Sequence, residues 1–313
     1  LKTIRIKQPG ILATVQDNGR FGYQHQGVPI SGAMDSYALR LGNLLVGNSE
    51  NDAGIEITFG GFEAEFISDA GFTVAGPEKT VSLNGVAVQT WTFHRAFVGD
   101  ILQIDCTSGV RNYLCLSGGI DVPLVLGSKS TYLRGKFGGF DGRSLQAGDE
   151  ICCGRSSGRF ISEIPQKFIP LYSENPELRV IFGPQDDRIT AKGLSDFLNT
   201  PYRISNKADR MGYRLEGSAI ELISGADIIS DGIALGSVQV PGDGQPIIHL
   251  ADRATTGGYV KIATVASFDI PLIAQACPEQ EVRFRQIGID EARQIYLERE
   301  FRLNSYKKTA LKG

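Results

Sequence analysis

A basic excess is missing from this chain. Its 313 residues carry 32 Lys and Arg against 35 Asp and Glu, a net charge of −3, and the sequence pI is near 5.8. Surfaces for nucleic acid or anionic membrane usually depend on positive charge, so neither partner is expected. Long apolar runs are missing too, with no stretch near the ~20 residues that span a bilayer. The start, Leu1-Lys2-Thr3-Ile4-Arg5-Ile6, alternates like a strand and lacks the apolar core of a signal peptide. Cysteine is sparse: Cys106, Cys115, Cys152, Cys153 and Cys277 form an odd set without a C-x-x-C pair. That argues against a disulfide framework or zinc site, and the three histidines stand apart from any second ligand at metal spacing. The expectation is a cytoplasmic protein with reduced thiols.

Glycine is the residue in excess, 38 of 313, about 12% against a usual ~7%. No period of three accompanies it, which excludes collagen and leaves turn-rich β structure. Phe62-Glu63-Ala64-Glu65-Phe66 alternates as a half-buried strand does. Leu83-Asn84-Gly85-Val86 predicts a hairpin. Gly99-Asp100 and Gly148-Asp149 read as two strand-entry turns. Helices are few. One is predicted from Met34 to Val46, capped by Ser31 or Asp35 and stopped by Gly47; a second from Ile189 to Leu198; a third from Glu291 to Leu303, with Glu298 and Arg302 as an i,i+4 pair. Beyond it, Tyr306-Lys307-Lys308 to Gly313 reads as a frayed, solvated tail.

The length suggests two domains. A linker is expected between Ser162 and Glu177, where Pro165, Pro170 and Pro176 cluster. The division falls as 1–165, a first β domain, and 166–313, a second β domain with a C-terminal helix. Arg20-x-Gly22-Tyr23-x-x-x-Gly27 recurs as Arg210-x-Gly212-Tyr213-x-x-x-Gly217, which suggests duplication, with two related β domains facing each other across a shared cleft.

The stretch from Leu250 to Tyr259 is the richest in chemistry. Thr255-Thr256-Gly257-Gly258 reads as a loop whose backbone N–H groups hold an anion or carbonyl oxygen, with Asp252 as orienter or base and Tyr259 as donor. An ordinary Gly-Gly hairpin with surface threonines would leave the same pattern. Arg210 and Arg214, four apart, suit a carboxylate or a phosphate, or a solvated strand edge with Asp209 and Glu216. Gln239 and Gln245 flank Val240-Pro241-Gly242-Asp243-Gly244 and suit an amide or lactam, which offers donor and acceptor together; turn chemistry accounts for the prolines and glycines equally well. Gly127-Ser128-Lys129-Ser130-Thr131 lacks the glycine spacing of a phosphate loop. Gly154-Arg155-Ser156-Ser157-Gly158 matches G-x-S-x-G, but Pro165 and Pro170 follow where a helix would be needed, so it reads as a loop.

These segments together resemble the biotin-dependent carboxyltransferase family, also described as urea amidolyase-related or allophanate hydrolase subunit 2-like. The resemblance rests on Gln16-Asp17-x-Gly19-Arg20-x-Gly22-Tyr23, Gly27-Val28-Pro29-x-Ser31-Gly32-Ala33-Met34-Asp35, Asn43 to Asn48, Leu116 to Pro123, Leu126 to Thr131, Asp209 to Leu215, Gln239 to Ile247, and Asp252 to Tyr259. It spans roughly residues 4 to 292. It implies a mainly β fold with a few helices, built as two cyclophilin-like β-barrel domains.

The resemblance implies three activities. One is ATP-dependent opening of the lactam 5-oxoproline to glutamate with partner subunits, which a free-standing chain of this size resembles most. The others are transfer of a carboxyl group from carboxybiotin to urea or a related small amide, and a non-catalytic regulator that binds a kinase-inhibitor-like partner. Neither Met34 nor Met211 precedes a lysine, as a biotin acceptor would require, and no ATP motif is visible. No cofactor is therefore expected on this chain alone: ATP, or biotin in the second reading, would come through a companion 5-oxoprolinase or allophanate hydrolase subunit 1-like protein. Catalytic candidates are Asp252, Thr255, Thr256 and Tyr259. Substrate-binding candidates are Arg210, Arg214, Gln239, Gln245, Gly257, Gly258, Gln16 and Arg20. Ala254 and Val260 stand where many relatives carry Gln and Pro.

Overall fold

A computed structural model describes residues 1–77, 80–105 and 109–310. Cys106 lies outside them. The chain is mainly β and divides into two compact units. The first holds Leu1–Arg20, Ser31–Pro170 and the chain from Leu303 on; the second holds Phe21–Ile30 and Leu171–Arg302.

In the first unit the strands are β1 (Lys2–Pro9), β2 (Leu12–Gln16), β3 (Gly54–Thr58), β4 (Phe62–Phe66), β5 (Ala70–Ala75), β6 (Thr80–Leu83), β7 (Val86–Ala87), β8 (His94–Ala96), β9 (Ile101–Asp105), β10 (Arg111–Leu116) and β11 (Glu150–Cys152), with helix α1 (Ser36–Leu45). They form two sheets, ordered β11-β1-β4-β9-β6-β7 and β2-β3-β10-β5-β8. Alternation decides their faces. Phe62, Ala64 and Phe66 of β4 enter a common core with Ile4, Ile6, Ile55, Ile57, Leu114 and Leu116. On the other face Arg5 reaches Glu65 at 3.3 Å and Glu150 at 2.9 Å. The Asn84-Gly85 turn joins β6 to β7 with positive φ at both residues, which matches the twist of the strands it links.

Every residue of β3 and β10 is buried on both faces, and α1 packs against β10 and β5. Asp35 caps this helix by accepting from the Ala38 N–H at 2.9 Å. Below the cap, Glu56 accepts from the Met34 N–H at 2.8 Å and the Tyr113 hydroxyl at 2.7 Å. That hydroxyl accepts from the Asp35 N–H at 2.8 Å. Burial, then the nearby Glu56 and Asp35 carboxylates, pushes the Tyr113 hydroxyl well above its ordinary value of 10. The Gly-Ala-Met-Asp motif is thus held by a buried acid of β3.

A second buried acid joins motifs over a hundred residues apart. Asp17 accepts from the Gly19 N–H at 2.8 Å, the Lys129 N–H at 2.6 Å, the Ser128 hydroxyl at 2.7 Å and the Ser130 hydroxyl. Gln16 and Arg20 flank it, both 0% exposed. Gln16 donates to the Thr131 carbonyl at 3.2 Å, and Arg20 donates to the carbonyls of Val125 and Ser130 at 2.9 and 2.8 Å. The Gly-Ser-Lys-Ser-Thr stretch that mimics a phosphate loop is therefore the receptor of the protein's own carboxylate.

The second unit contains β12 (Glu177–Phe182), α2 (Ala191–Asn199), β13 (Tyr202–Ile204), β14 (Gly212–Glu216), β15 (Asp227–Gly232), β16 (Ser237–Val240), β17 (Ile247–His249), β18 (Thr256–Val265), α3 (Ile270–Gln275), β19 (Glu281–Gln286) and the start of α4 (Ile289–Ala310), whose residues from Leu303 on belong to the first unit. The order β12-β19-β13-β14-β17-β16-β18 closes through pairing of β18 with β12, and β15 adds to β18 outside the ring. Only β12 and β19 run parallel in it. Leu178, Val180, Tyr202, Ile204, Leu215, Val282 and Phe284 are among its buried residues.

Three expectations need correction. The C-terminal residues through Ala310 continue α4 instead of fraying. Lys307 pairs with Glu50 at 2.7 Å, and the Tyr306 hydroxyl donates to the Glu163 carbonyl at 3.0 Å. These contacts within the first unit override the polar composition. The repeated Arg-x-Gly-Tyr copies also differ in structure: Tyr23 precedes a short 3-10 turn, whereas Tyr213 lies in β14. Finally, α3 is a helix beyond the three expected, because six residues with Pro271 in the first turn give too short a pattern to read.

Replacing Asp17 with Ala strands several buried donors at once. The D17A variant should lose about 3–5 kcal/mol of unfolding free energy, measured by urea titration. A loss below about 1 kcal/mol would contradict this linking role.

Candidate functional site

In antiparallel pairs, residues directly opposite share a face. Arg214 of β14 pairs with Ile247 of β17, Ile247 with Gln239 of β16, and Gln239 with Lys261 of β18. His249 lies two residues beyond Ile247 and so shares its face. Gly257 and Tyr259 alternate with Lys261 on the same side of β18. A polar row, Arg214–His249–Gln239–Lys261, therefore crosses four adjacent strands. The opposite set, including Tyr213, Leu215, Ile248, Val240 and Val260, is buried and apolar. The row is the outer face of this barrel wall.

Its central members are wired together. The Tyr259 carbonyl can only accept, so Gln239 turns its NH2 toward it, at 3.3 Å. The amide oxygen then faces His249 Nε2 at 2.7 Å, and that nitrogen must carry the proton. Burial, then Arg253 and Arg214, lowers the His249 pKa to about 4. The imidazole is neutral at pH 7, with a bare Nδ1. This atom has no hydrogen-bond partner among the described residues and is not sealed from solvent.

Lys261 is 3% exposed. It donates to Asp231 at 2.6 Å and to the Gly232 carbonyl at 3.0 Å. The Lys261 hydrogen bond is the main cause holding the Asp231 carboxyl below its usual range. Neither residue is a sequence candidate. Their signal is the alternation Gly257, Tyr259, Lys261 against the apolar Val260 and Ile262, which a loop reading of this stretch conceals.

That loop reading needs correction: Thr256–Val265 is one ten-residue strand. Gly257 and Gly258 belong to it, and neither has positive φ. A Cβ on Gly257 would stand 2.8 Å from Gln239 Nε2 and 2.7 Å from Ile233 Cδ1, so the missing side chain makes room for the amide. Thr256 points with the opposite face from Gly257, and the Thr255 carbonyl accepts from the Ile233 N–H at 3.0 Å.

The remaining candidates divide. Arg210 and Asp252 form a buried two-point pair at 2.9 and 3.2 Å, which ties the start of β14 to the turn after β17. Beside it, Arg253 donates to the carbonyls of Ile233 and Leu250, and burial lowers its pKa to about 10. Arg214 is exposed, with no ion pair or side-chain hydrogen bond among the described residues. Gln245 lies off the row, exchanging hydrogen bonds with the backbone of Gly217. Gln16 and Arg20 belong to the first unit. Among the described residues no group of His, Cys, Asp and Glu is arranged to hold a metal.

This wall belongs to a recognisable class. A family model described as carboxyltransferase domain, subdomain A and B, matches residues 26–286, and the chain belongs to that family. Among individual proteins, it is 36% identical over 299 residues to a 5-oxoprolinase subunit of Haemophilus influenzae, covering 95% of each chain. The urea amidolyase of Saccharomyces cerevisiae is 30% identical over 99% of this chain, but only 18% of that protein is covered. The crystal structure of Kluyveromyces lactis urea carboxylase superposes with a TM-score of 0.92 at 29% identity, across 99% of this chain and 30% of that one.

His249 predicts an acid limb of stability. Its folded pKa, about 4, lies below the unfolded ~6.5, so the native state binds fewer protons. Its contribution is complete above about pH 6.5 and is lost as pH falls toward 4, by about 3 kcal/mol in all. NMR titration of the imidazole should give a midpoint near 4, and H249F should remove this part of the pH dependence of unfolding. A midpoint of about 6 or above would show an unburied imidazole.

Proposed function

We propose that this chain is part of a 5-oxoprolinase that opens the lactam 5-oxoproline to glutamate together with partner subunits. The observation that carries the reading is the end-to-end match with the Haemophilus influenzae 5-oxoprolinase subunit, 95% of both chains. ATP comes to the reaction through a companion protein, and this chain contributes recognition of the small amide.

The polar row suits that substrate chemically. A ring N–H of 5-oxoproline lies beside the carbon that bears its carboxylate, so recognition needs an acceptor next to a cation. His249 Nδ1 is the acceptor and Arg214 the cation, and the two are close enough for the arginine to depress the histidine. Lys261 stays engaged with Asp231 and the Gly232 carbonyl and holds the added strand beside the row. The Arg210–Asp252 pair acts by fixing the turn that carries Arg253 and Thr255.

A second reading draws on the urea carboxylase likeness: carboxyl transfer from carboxybiotin on a carrier protein to urea or a similar amide. Urea has no carboxylate, so Arg214 separates the two. The chain co-purified with its companion subunits should hydrolyse ATP only when 5-oxoproline is present. R214A should raise the KM for 5-oxoproline at least about tenfold, ~1.4 kcal/mol. H249F should erase preference for the lactam over the lactone of the same shape, which lacks the N–H. ATP hydrolysis indifferent to 5-oxoproline, with urea turnover blocked by avidin, would replace the first reading by the second.

A further inference from the structure

The sequence motif Gly154-Arg155-Ser156-Ser157-Gly158 has no part in the barrel wall. It forms an irregular segment of the first unit beside a cavity of about 700 Å³, a size suited to small-molecule ligands. The segment is fixed along its length. The Gly154 N–H donates to the Gly119 carbonyl at 3.0 Å, the Ser157 hydroxyl to the Gly47 carbonyl at 3.0 Å, and the Ile161 N–H to the Leu45 carbonyl at 2.9 Å. Phe160 stacks on Phe93 with ring centroids 4.1 Å apart, and the Phe93 N–H donates to the Ser162 carbonyl at 2.8 Å. The backbone that carries Arg155 and Arg159 is thus preorganised.

Arg95, Arg155 and Arg159 line this cavity and are exposed. None forms an ion pair or a side-chain hydrogen bond among the described residues. Arg95 has only a ring contact, 5.9 Å from the Phe160 centroid. Elsewhere the protein's arginines find acids readily, as Arg5, Arg40, Arg143, Arg179 and Arg203 do. The acids on the cavity wall are Asp69 and Asp121, and Asp69 is engaged by the Val98 N–H at 3.0 Å. Three guanidiniums against two carboxylates leave the wall positive.

We propose that this pocket binds a small molecule carrying two or more phosphate or carboxylate groups, with Arg95, Arg155 and Arg159 as its anion contacts. Guanidinium forks match both oxyanions in two-point geometry. Such a ligand occupies a site independent of the barrel wall, so the pocket stands whether or not the wall acts on 5-oxoproline.

Calorimetry on the full chain with pyrophosphate, ATP and citrate tests it. At least one should bind below millimolar, more weakly as salt rises. The R155A/R159A variant, both changes being on exposed side chains, should lose about tenfold or more in affinity. D121N should tighten binding, and R214A should leave it unchanged. Pyrophosphate or ATP without citrate identifies a phosphate ligand, and citrate a carboxylate ligand; either supports the site when the double variant loses it. No binding by all three, unchanged affinity in the double variant, or loss of binding in R214A overturns it.

Discussion

A buried charged or hydrogen-bonding group must find its partners inside the protein, because leaving one unmet costs kilocalories. Asp17 shows how much architecture that constraint organises. It is 7% exposed, and its donors come from its own turn and from Ser128, Lys129 and Ser130. The carboxylate fixes where the second motif must run, and Arg20 then secures the same segment through its carbonyls. Glu56 does the equivalent for the entry to α1. In the second unit Arg210 with Asp252, and Lys261 with Asp231, hold the turns and the added strand around the wall. Motifs that look independent in sequence are halves of single interactions.

The same constraint explains what could be read from the sequence. Strands with one wet face announce themselves, as Phe62-Glu63-Ala64-Glu65-Phe66 does, because alternation records which atoms leave water. The Asn84-Gly85 hairpin and the Asp35 cap are local events with local signatures, and both are present. Partner choice is not local. Nothing near Asp17 indicates that its donors lie over a hundred residues away, and nothing near Lys307 indicates Glu50. Polar residues with distant internal partners therefore resemble surface residues, which is why the end of α4 reads as frayed and why Gln16 and Arg20 read as available.

The wall is concealed for a related reason. Glycine marks a turn when it supplies positive φ, but it also appears where a neighbour needs the volume of a Cβ. Gly257 is of the second kind, and its space is filled by Gln239. Once Thr256–Val265 is a strand, its odd positions form a series, and Lys261 follows from Tyr259 by alternation. The register of β14, β17 and β16 then adds Arg214, His249 and Gln239 without further assumption. Family motifs located this wall; pairing register showed which side chains share its face.

Electrostatics gives that face its character. Burial, and then repulsion from Arg253 and Arg214, holds His249 neutral, while the Tyr259 carbonyl sets the Gln239 amide and the amide sets the imidazole tautomer. The outcome is an acceptor lone pair beside an exposed guanidinium, with a buried ammonium two strands away. An acceptor lone pair recognises a donor N–H and repels a bare ring oxygen, and the guanidinium needs an anion at the same distance. A cyclic amide bearing a carboxylate next to its nitrogen satisfies both. Urea satisfies the first alone, leaving Arg214 facing no anion. In the proposed lactam reading the charge that urea lacks separates the two substrates, and the His249 acceptor is oriented through Gln239 before substrate arrives.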